Sequence, residues 1–224
     1  MLFLWNKFLY FGILSDMNKI QQEIIGRLEK HYEGARPGLY FKNAYELLVA
    51  TILSAQCTDK RVNEVTRDLF VKYPDARTLA EADMEELQQE IHSCGFYTVK
   101  ARNLKATAKI LTEKYDGEVP RTMEELVVLP GVGRKTANVV LSNAYGIPGL
   151  AVDTHVFRVS HRLALSDAKD PDGTERQLCE IIPMEKWKDA HHWLIYHGRQ
   201  ICSSQRPKCS ECFLNDICAF IKEK

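Results

Sequence analysis

The sequence has no net charge: 30 lysines and arginines stand against 30 aspartates and glutamates. Overall charge therefore gives no argument for a polyanionic partner. It also lacks an apolar run that could span a bilayer. The most apolar stretch, MLFLWNKFLYFGILSD at residues 1–16, falls short of the about 20 residues required. No small-residue cleavage site follows it, which argues against a secretory signal peptide. Met17 opens MNKIQQEIIGRLEKHY, a natural amphipathic beginning, so residues 1–16 are read as an N-terminal extension from a misplaced start, with no targeting role. No strand pair, internal repeat or low-complexity segment is apparent. The cysteines number seven, an odd count, and four of them fall within 17 residues. That pattern excludes a secreted disulfide framework and fits an intracellular metal site with three free thiols.

What is present is helical periodicity. Ile20, Ile24, Ile25 and Leu28 share one face, as do Ala44, Leu47, Leu48, Thr51, Ile52 and Ala55. Asp59 is expected to cap a helix carrying Val62, Val65 and Leu69; Asp83 caps one carrying Leu87 and Ile91, which Gly95 stops. Thr98 is expected to open the next helix, with Ala101, Leu104, Ala108 and Leu111 inward. TMEEL at Thr122 is a capping box whose short helix ends at Pro130. The fold class is all-α. Cys57, Cys94 and Cys179 fall on these helical stretches and read as inert core thiols. Charge is unevenly spread: residues 1–99 carry net −3, whereas residues 100–168 carry net +3. An anionic ligand belongs in that middle third.

The middle third contains LPGVGRKTANVV, residues 129–140. It reads as helix, tight hairpin, helix. Gly131 and Gly133 permit positive φ and close approach of another backbone. The amides at the start of the second helix, where Arg134 stands, suit a phosphate. An ordinary αα turn with glycine caps is the plainer reading. Lys135 lies in the first helical turn, where the helix dipole opposes its charge and lowers its pKa. A free amine there is a nucleophile able to form a Schiff base with an aldehyde-like carbon. Beside DNA, that carbon is C1′ of deoxyribose; the plainer reading is a solvated surface lysine. Downstream, AVDTHVFRV places Asp153 just before an amphipathic helix, either as a simple N-cap or as a carboxylate stabilising an oxocarbenium-like sugar.

Cys202, Cys209, Cys212 and Cys218 have the spacing C-x6-C-x2-C-x5-C. Four thiolates so close in sequence converge on one centre. Tetrahedral zinc sites usually show two close pairs, and only Cys209 and Cys212 form one here. A [4Fe–4S] cluster tolerates the wider spacing. Arg199, Arg206 and Lys208 interleave the cysteines and either offset thiolate charge or also touch phosphate.

The hairpin LPGVGRKTA, the VDTHVFRV segment, HHWLIYHGRQIC and the cysteine tail together resemble the endonuclease III family of helix-hairpin-helix DNA glycosylases. The resemblance runs from Met17 to the C-terminus. It implies a two-lobed all-α fold with DNA bound between the lobes. One lobe is a six-helix barrel, residues 37–147, containing the hairpin; the other combines residues 17–36 with 148–224 around a [4Fe–4S] cluster. It implies that Lys135 and Asp153 are catalytic, and that Gly131, Gly133 and Arg134 grip the DNA backbone. Gln56, in LLVATILSAQCTDKRVN, fills the gap left by a flipped nucleotide. Phe96, in CGFYTVKARNL, wedges into the base stack, where the family commonly has leucine. The implied activity is bifunctional: excision of oxidised pyrimidines through a lysine Schiff base, then β-elimination at the abasic site. The implied partner is double-stranded DNA carrying damaged bases or abasic sites, bound by a cytoplasmic monomer with no membrane attachment. A monofunctional mismatch glycosylase is the nearest rival, but it lacks a lysine at this position and usually carries a further C-terminal domain. A non-catalytic iron–sulfur DNA-binding or redox-sensing protein is the other, and Lys135 with Asp153 argues against it.

Overall fold

The structure is a computed structural model in which residues 19–222 are described. The extension expected at residues 1–16 lies outside them. The described residues form α-helices and two short 3-10 turns, with no strand among them. The chain divides into two compact units, Pro37–Gly149 and Met1–Arg36 joined with Leu150–Lys224.

The unit Pro37–Gly149 holds seven helices: α2 (Ala44–Ser54), α3 (Asp59–Lys72), α4 (Ala76–Glu81), α5 (Met84–Ile91), α6 (Tyr97–Lys114), α7 (Met123–Val127) and α8 (Arg134–Ala144). The sequence predicts an amphipathic α2. Instead every residue from Tyr45 to Leu53 is buried, because α3, α6 and α8 pack around it. Leu47, Leu48 and Leu53 are fully buried there together with Leu69, Leu87, Leu104 and Leu126 of the surrounding helices. Helix starts follow side-chain chemistry. Asn43, Thr58, Asp83 and Thr122 each accept a backbone N–H at the head of α2, α3, α5 and α7, and Asp75 and Thr78 form a reciprocal box at α4. Three expected boundaries move. Thr58 rather than Asp59 caps α3, α7 stops at Val127 rather than running to Pro130, and α6 begins at Tyr97 on the left-handed residue Phe96 rather than at Thr98.

The other unit contains α1, helical over 19–31, then α9 (Thr154–Arg162), α10 (Pro171–Ile181), α11 (Trp187–Gln200) and α12 (Ala219–Lys222). Its core gathers Ile24, Ile25 and Leu28 of α1, Val156 and Val159 of α9, Leu178, Leu194 and Leu214, and includes Cys202, Cys212 and Cys218. Ile20, expected on the inward face of α1, is 39% exposed. Helices α9 and α11 pack directly against each other, and Gly198 sets how near they come. A Cβ there would lie 3.0 Å from His155 Cβ and 3.1 Å from Val159 Cγ2. Both atoms sit close to the α9 backbone, so the helix itself must move to admit a side chain. Gly198→Val should therefore cost about 1–3 kcal/mol of overpacking. That corresponds to a fall of roughly 2–12 °C in the thermal midpoint by circular dichroism. An unchanged midpoint would show that this crossing has slack.

Candidate functional site

The hairpin forms in the unit Pro37–Gly149 because each of its residues has a local job. Helix α7 ends at Val127, the amide of Leu129 bonds Leu126 O, and that of Val132 bonds Leu129 O. Val132 is buried and anchors the turn, while Thr107 Oγ1 of α6 donates to Pro130 O at 2.9 Å. Gly131 takes φ +79, a left-handed conformation that costs other residues about 1–2 kcal/mol. A Cβ on it would also meet Asn103 Nδ2 at 3.0 Å. Gly133 behaves differently from the expectation. Its φ of −95 and ψ of 177 are extended, and a Cβ would find nothing within 4 Å. It is the N-cap of α8 and supplies no side-chain acceptor to the first helical amides. Those amides are donors that a helix cannot satisfy from within itself. Gly131, Gly133 and Arg134 are exposed, and Lys135 is half-buried in the first turn.

Two further turns of the same unit carry the other predicted DNA contacts. Gln56 follows α2 at φ +53, and Phe96 precedes α6 at φ +59 and is 65% exposed. Neither is glycine, so each holds a strained backbone, which is often a mark of function. The two turns adjoin: a Cβ on Gly95 would lie 3.7 Å from Gln56 O. Cys57 and Cys94 lie in these turns rather than on helices, and their thiols lie within electrostatic reach of each other. Burial pushes the Cys94 thiol up to about 11. Only Cys179 is helical, in α10.

In the other unit Asp153 is the N-cap of α9, accepting the amides of His155 at 2.8 Å and Val156 at 2.9 Å. Both bonds fall on Oδ1, so the cap engages only one carboxylate oxygen. Asp153 itself is half-buried.

The cysteine tail wraps onto the core of that unit. Cys202, Cys212 and Cys218 are buried and Cys209 is half-buried. Burial raises the Cys212 and Cys218 thiols, and each of the two lies within electrostatic reach of the other tail cysteines named with it, Cys202 and Cys209 in both cases. Donors point at sulfur: Arg162 Nη1 at 3.4 Å from Cys202 Sγ, and the Leu214 amide at 3.5 Å from Cys212 Sγ. Such contacts suit ionised thiolates. No group of three or more histidine, cysteine, aspartate or glutamate side chains among the described residues is gathered to hold a single metal ion. Cys202, Cys209, Cys212 and Cys218 are the residues that could hold a thiolate-bound metal group.

The supports of this tail were missed in the sequence. Arg158 Nε donates to Cys202 O at 3.1 Å, and its Nη2 to Gly198 O at 3.0 Å. Arg162, one turn on, donates to Ser203 O at 2.7 Å and Ser204 O at 3.0 Å and lies over the Phe220 ring. Arg27 of α1 holds Phe213 O and Asp216. The i, i+4 spacing of Arg158 and Arg162 was visible, but nothing in it indicated a target some 40 residues away.

An all-helical chain with a glycine hairpin and a four-cysteine tail is that of a helix-hairpin-helix repair protein. Residues 49–184 match the family described as "HhH-GPD superfamily base excision DNA repair protein", and residues 202–218 match "Iron-sulfur binding domain of endonuclease III". Endonuclease III of Synechocystis sp. is 51% identical over 197 residues, 88% of this chain and 90% of that protein. Endonuclease III of Escherichia coli K12 is 44% identical over 209 residues, 93% of this chain and 99% of that protein. A solved structure titled "Structure of a Trapped Endonuclease III-DNA Covalent Intermediate: Estranged-Adenine Complex" superimposes with TM-score 0.87 at 46% identity, over 91% of this chain and 97% of that one. A thermostable thymine-DNA glycosylase, at 24% identity, shares the fold with TM-score 0.82 over 92% of this chain and 99% of its own. The chain belongs to the endonuclease III family of base excision DNA repair proteins, an enzyme family whose tail binds a [4Fe–4S] cluster. No helix among the described residues is long and apolar enough to cross a membrane.

Two predictions come from this geometry. Gly133→Val meets open space at an extended φ, so it should leave the thermal midpoint nearly unchanged while weakening binding to every duplex, damaged or intact. Gly131→Val should weaken binding and destabilise the fold as well. Filter binding beside calorimetry separates them, and full-affinity Gly133→Val would deny the hairpin a role in gripping DNA. Arg162→Gln removes the donor to Cys202 Sγ and two backbone anchors. Purified protein should then lose iron to a chelator faster than wild type, whereas Cys179→Ser should match wild type. Equal loss rates would show that Arg162 does not secure the tail.

Proposed function

We propose that this chain is a bifunctional DNA glycosylase and abasic-site lyase acting on oxidised pyrimidines in duplex DNA. The observation carrying this reading is Lys135 in the first turn of α8, directly behind a glycine-capped helix start in the hairpin. Amides beside it suit a DNA phosphate and bring the sugar to the amine. The hairpin grips backbone through Gly131, Gly133 and Arg134 without reading bases. Gln56 and Phe96 enter the stack, replacing and wedging around the extruded nucleotide.

The chemistry follows from these groups. The Lys135 amine attacks C1′ and the C1′–N bond breaks, expelling the base. The developing positive charge on the sugar is offset by the Asp153 carboxylate, which its two backbone hydrogen bonds hold in place. The amine then loses its protons and the C1′–O4′ bond breaks, opening the sugar ring with O4′ taking up a proton; the lysine–C1′ bond becomes an imine, which acidifies the C2′ proton. Loss of that proton and of the 3′ phosphate cuts the strand, and water releases the sugar remnant from the amine. Cys202, Cys209, Cys212 and Cys218 hold a [4Fe–4S] cluster that orders the tail. The protein acts as a monomer on damaged or abasic duplexes.

Borohydride trapping on duplex abasic DNA tests the reading, because only a Schiff-base former is left covalently joined to DNA. Wild type should trap. Lys135→Gln should abolish trapping and strand cleavage while retaining most DNA affinity. Asp153→Asn, still able to accept the cap bonds, should stay folded and turn over far more slowly. Base release without trapping would indicate a monofunctional glycosylase. Binding with neither activity would indicate a non-catalytic module.

A further inference from the structure

Lys100 stands out among the cations of the unit Pro37–Gly149, because it is 5% exposed. Lysine is almost never so deeply buried without a defined partner. It lies in the first turn of α6, four residues after Phe96, and its side chain crosses to the end of α2. There Nζ donates to Leu53 O at 2.8 Å and to Ala55 O at 2.7 Å. These are two of the last carbonyls of α2, the negative end of a helix with no basic residue in its own last turn. The next residue is Gln56.

One ammonium thus ties the helix that launches Phe96 to the helix end that launches Gln56. Both residues are exposed and both hold left-handed backbones, at φ +59 and φ +53. Strained conformations of this kind persist only where the surroundings over-determine them. The surroundings here are the Lys100 clamp and the close approach of the two turns, which leaves little space between Gly95 and Gln56 O. Burial lowers the Lys100 pKa below the usual lysine value, and the two carbonyls supply the partners its charge requires. At 5% exposure the ammonium is not placed to reach a phosphate.

We propose that Lys100 is a positioning residue for damage extrusion: clamped on Leu53 O and Ala55 O, it holds Gln56 and Phe96 in register as one two-pronged probe of the duplex. This rests on the reading that Gln56 and Phe96 enter the DNA. The clamp fixes the spacing and direction of the two prongs before DNA arrives, so insertion carries no further ordering cost. It touches neither substrate nor the Lys135 amine.

A double-mutant comparison on the full iron-loaded protein tests it. Lys100→Met keeps the length of the side chain and removes the donors. On duplex abasic DNA it should slow borohydride trapping by about 10–100-fold, the scale of a misplaced contact. A second strand carrying 2-aminopurine opposite a tetrahydrofuran abasic analogue should show a smaller fluorescence change on binding than with wild type. Gln56→Ala/Phe96→Ala should be slow as well, and adding Lys100→Met to it should cost little more, because Lys100 acts through those two residues. Lys100→Arg, which retains the charge and donors, should recover part of the rate.

The outcomes separate. If wild type fails to trap, the lyase reading fails. If Gln56→Ala/Phe96→Ala traps at the wild-type rate, the insertion reading fails and this proposal with it. If Lys100→Met slows that double variant by the same factor as it slows wild type, or traps and fluoresces like wild type, the positioning role is overturned. Should Lys100→Met fold poorly by circular dichroism, Lys100→Arg and Lys100→Gln carry the same comparison, and equal factors in both backgrounds overturn the proposal.

Discussion

An α-helix cannot satisfy its own ends: four N–H groups at the start and four carbonyls at the finish have no intrahelical partner. In this chain Gly133, Asp153 and Lys100 all stand at helix ends where that deficit arises. Gly133 leaves the start of α8 without a side-chain cap, so the amides around Lys135 are suited to an anion from outside. Asp153 meets the same need at α9 with its own carboxylate. Lys100 meets the opposite need at the end of α2. One physical shortage, met by glycine, by aspartate and by lysine, thus leaves an uncapped helix start, a fixed carboxylate and a braced turn.

Such ends are usable because helix interiors are committed elsewhere. Helix α2 is buried from Tyr45 to Leu53, leaving only its terminus to present Gln56. Helix α6 likewise buries Leu104, Ala108 and Leu111 while its first residue follows an exposed Phe96. Rigid packing behind a strained turn holds that turn in a conformation it would not keep alone.

The cysteine tail faces a different problem. Its segment has few apolar anchors, and its backbone carbonyls need donors. Arg158, Arg162 and Arg27 supply them to Cys202 O, Ser203 O, Ser204 O and Phe213 O. The planar guanidinium suits this work, since one side chain reaches two or three acceptors at fixed angles. The same Arg162 reaches the Cys202 sulfur, so backbone support and thiolate stabilisation share one residue.

The sequence alone determined what depends on neighbours along the chain. Helical period, the caps at Asp83, Thr122 and Asp153, the hairpin at Gly131 and the spacing of the four cysteines are local properties, each governed by a few adjacent residues. They were enough to read an all-α fold and a family resemblance. Other features were decided only by tertiary structure, because they join positions far apart in the chain. The burial of α2 on every side needs three other helices. The separate roles of Gly131 and Gly133 depend on Asn103 standing beside one and open space beside the other. Nothing in the residues around Lys100 indicates that its ammonium sits on carbonyls 45 and 47 residues away. Periodicity records which side of a helix avoids water, but not which distant carbonyl awaits a donor. That is fixed only when the whole core closes.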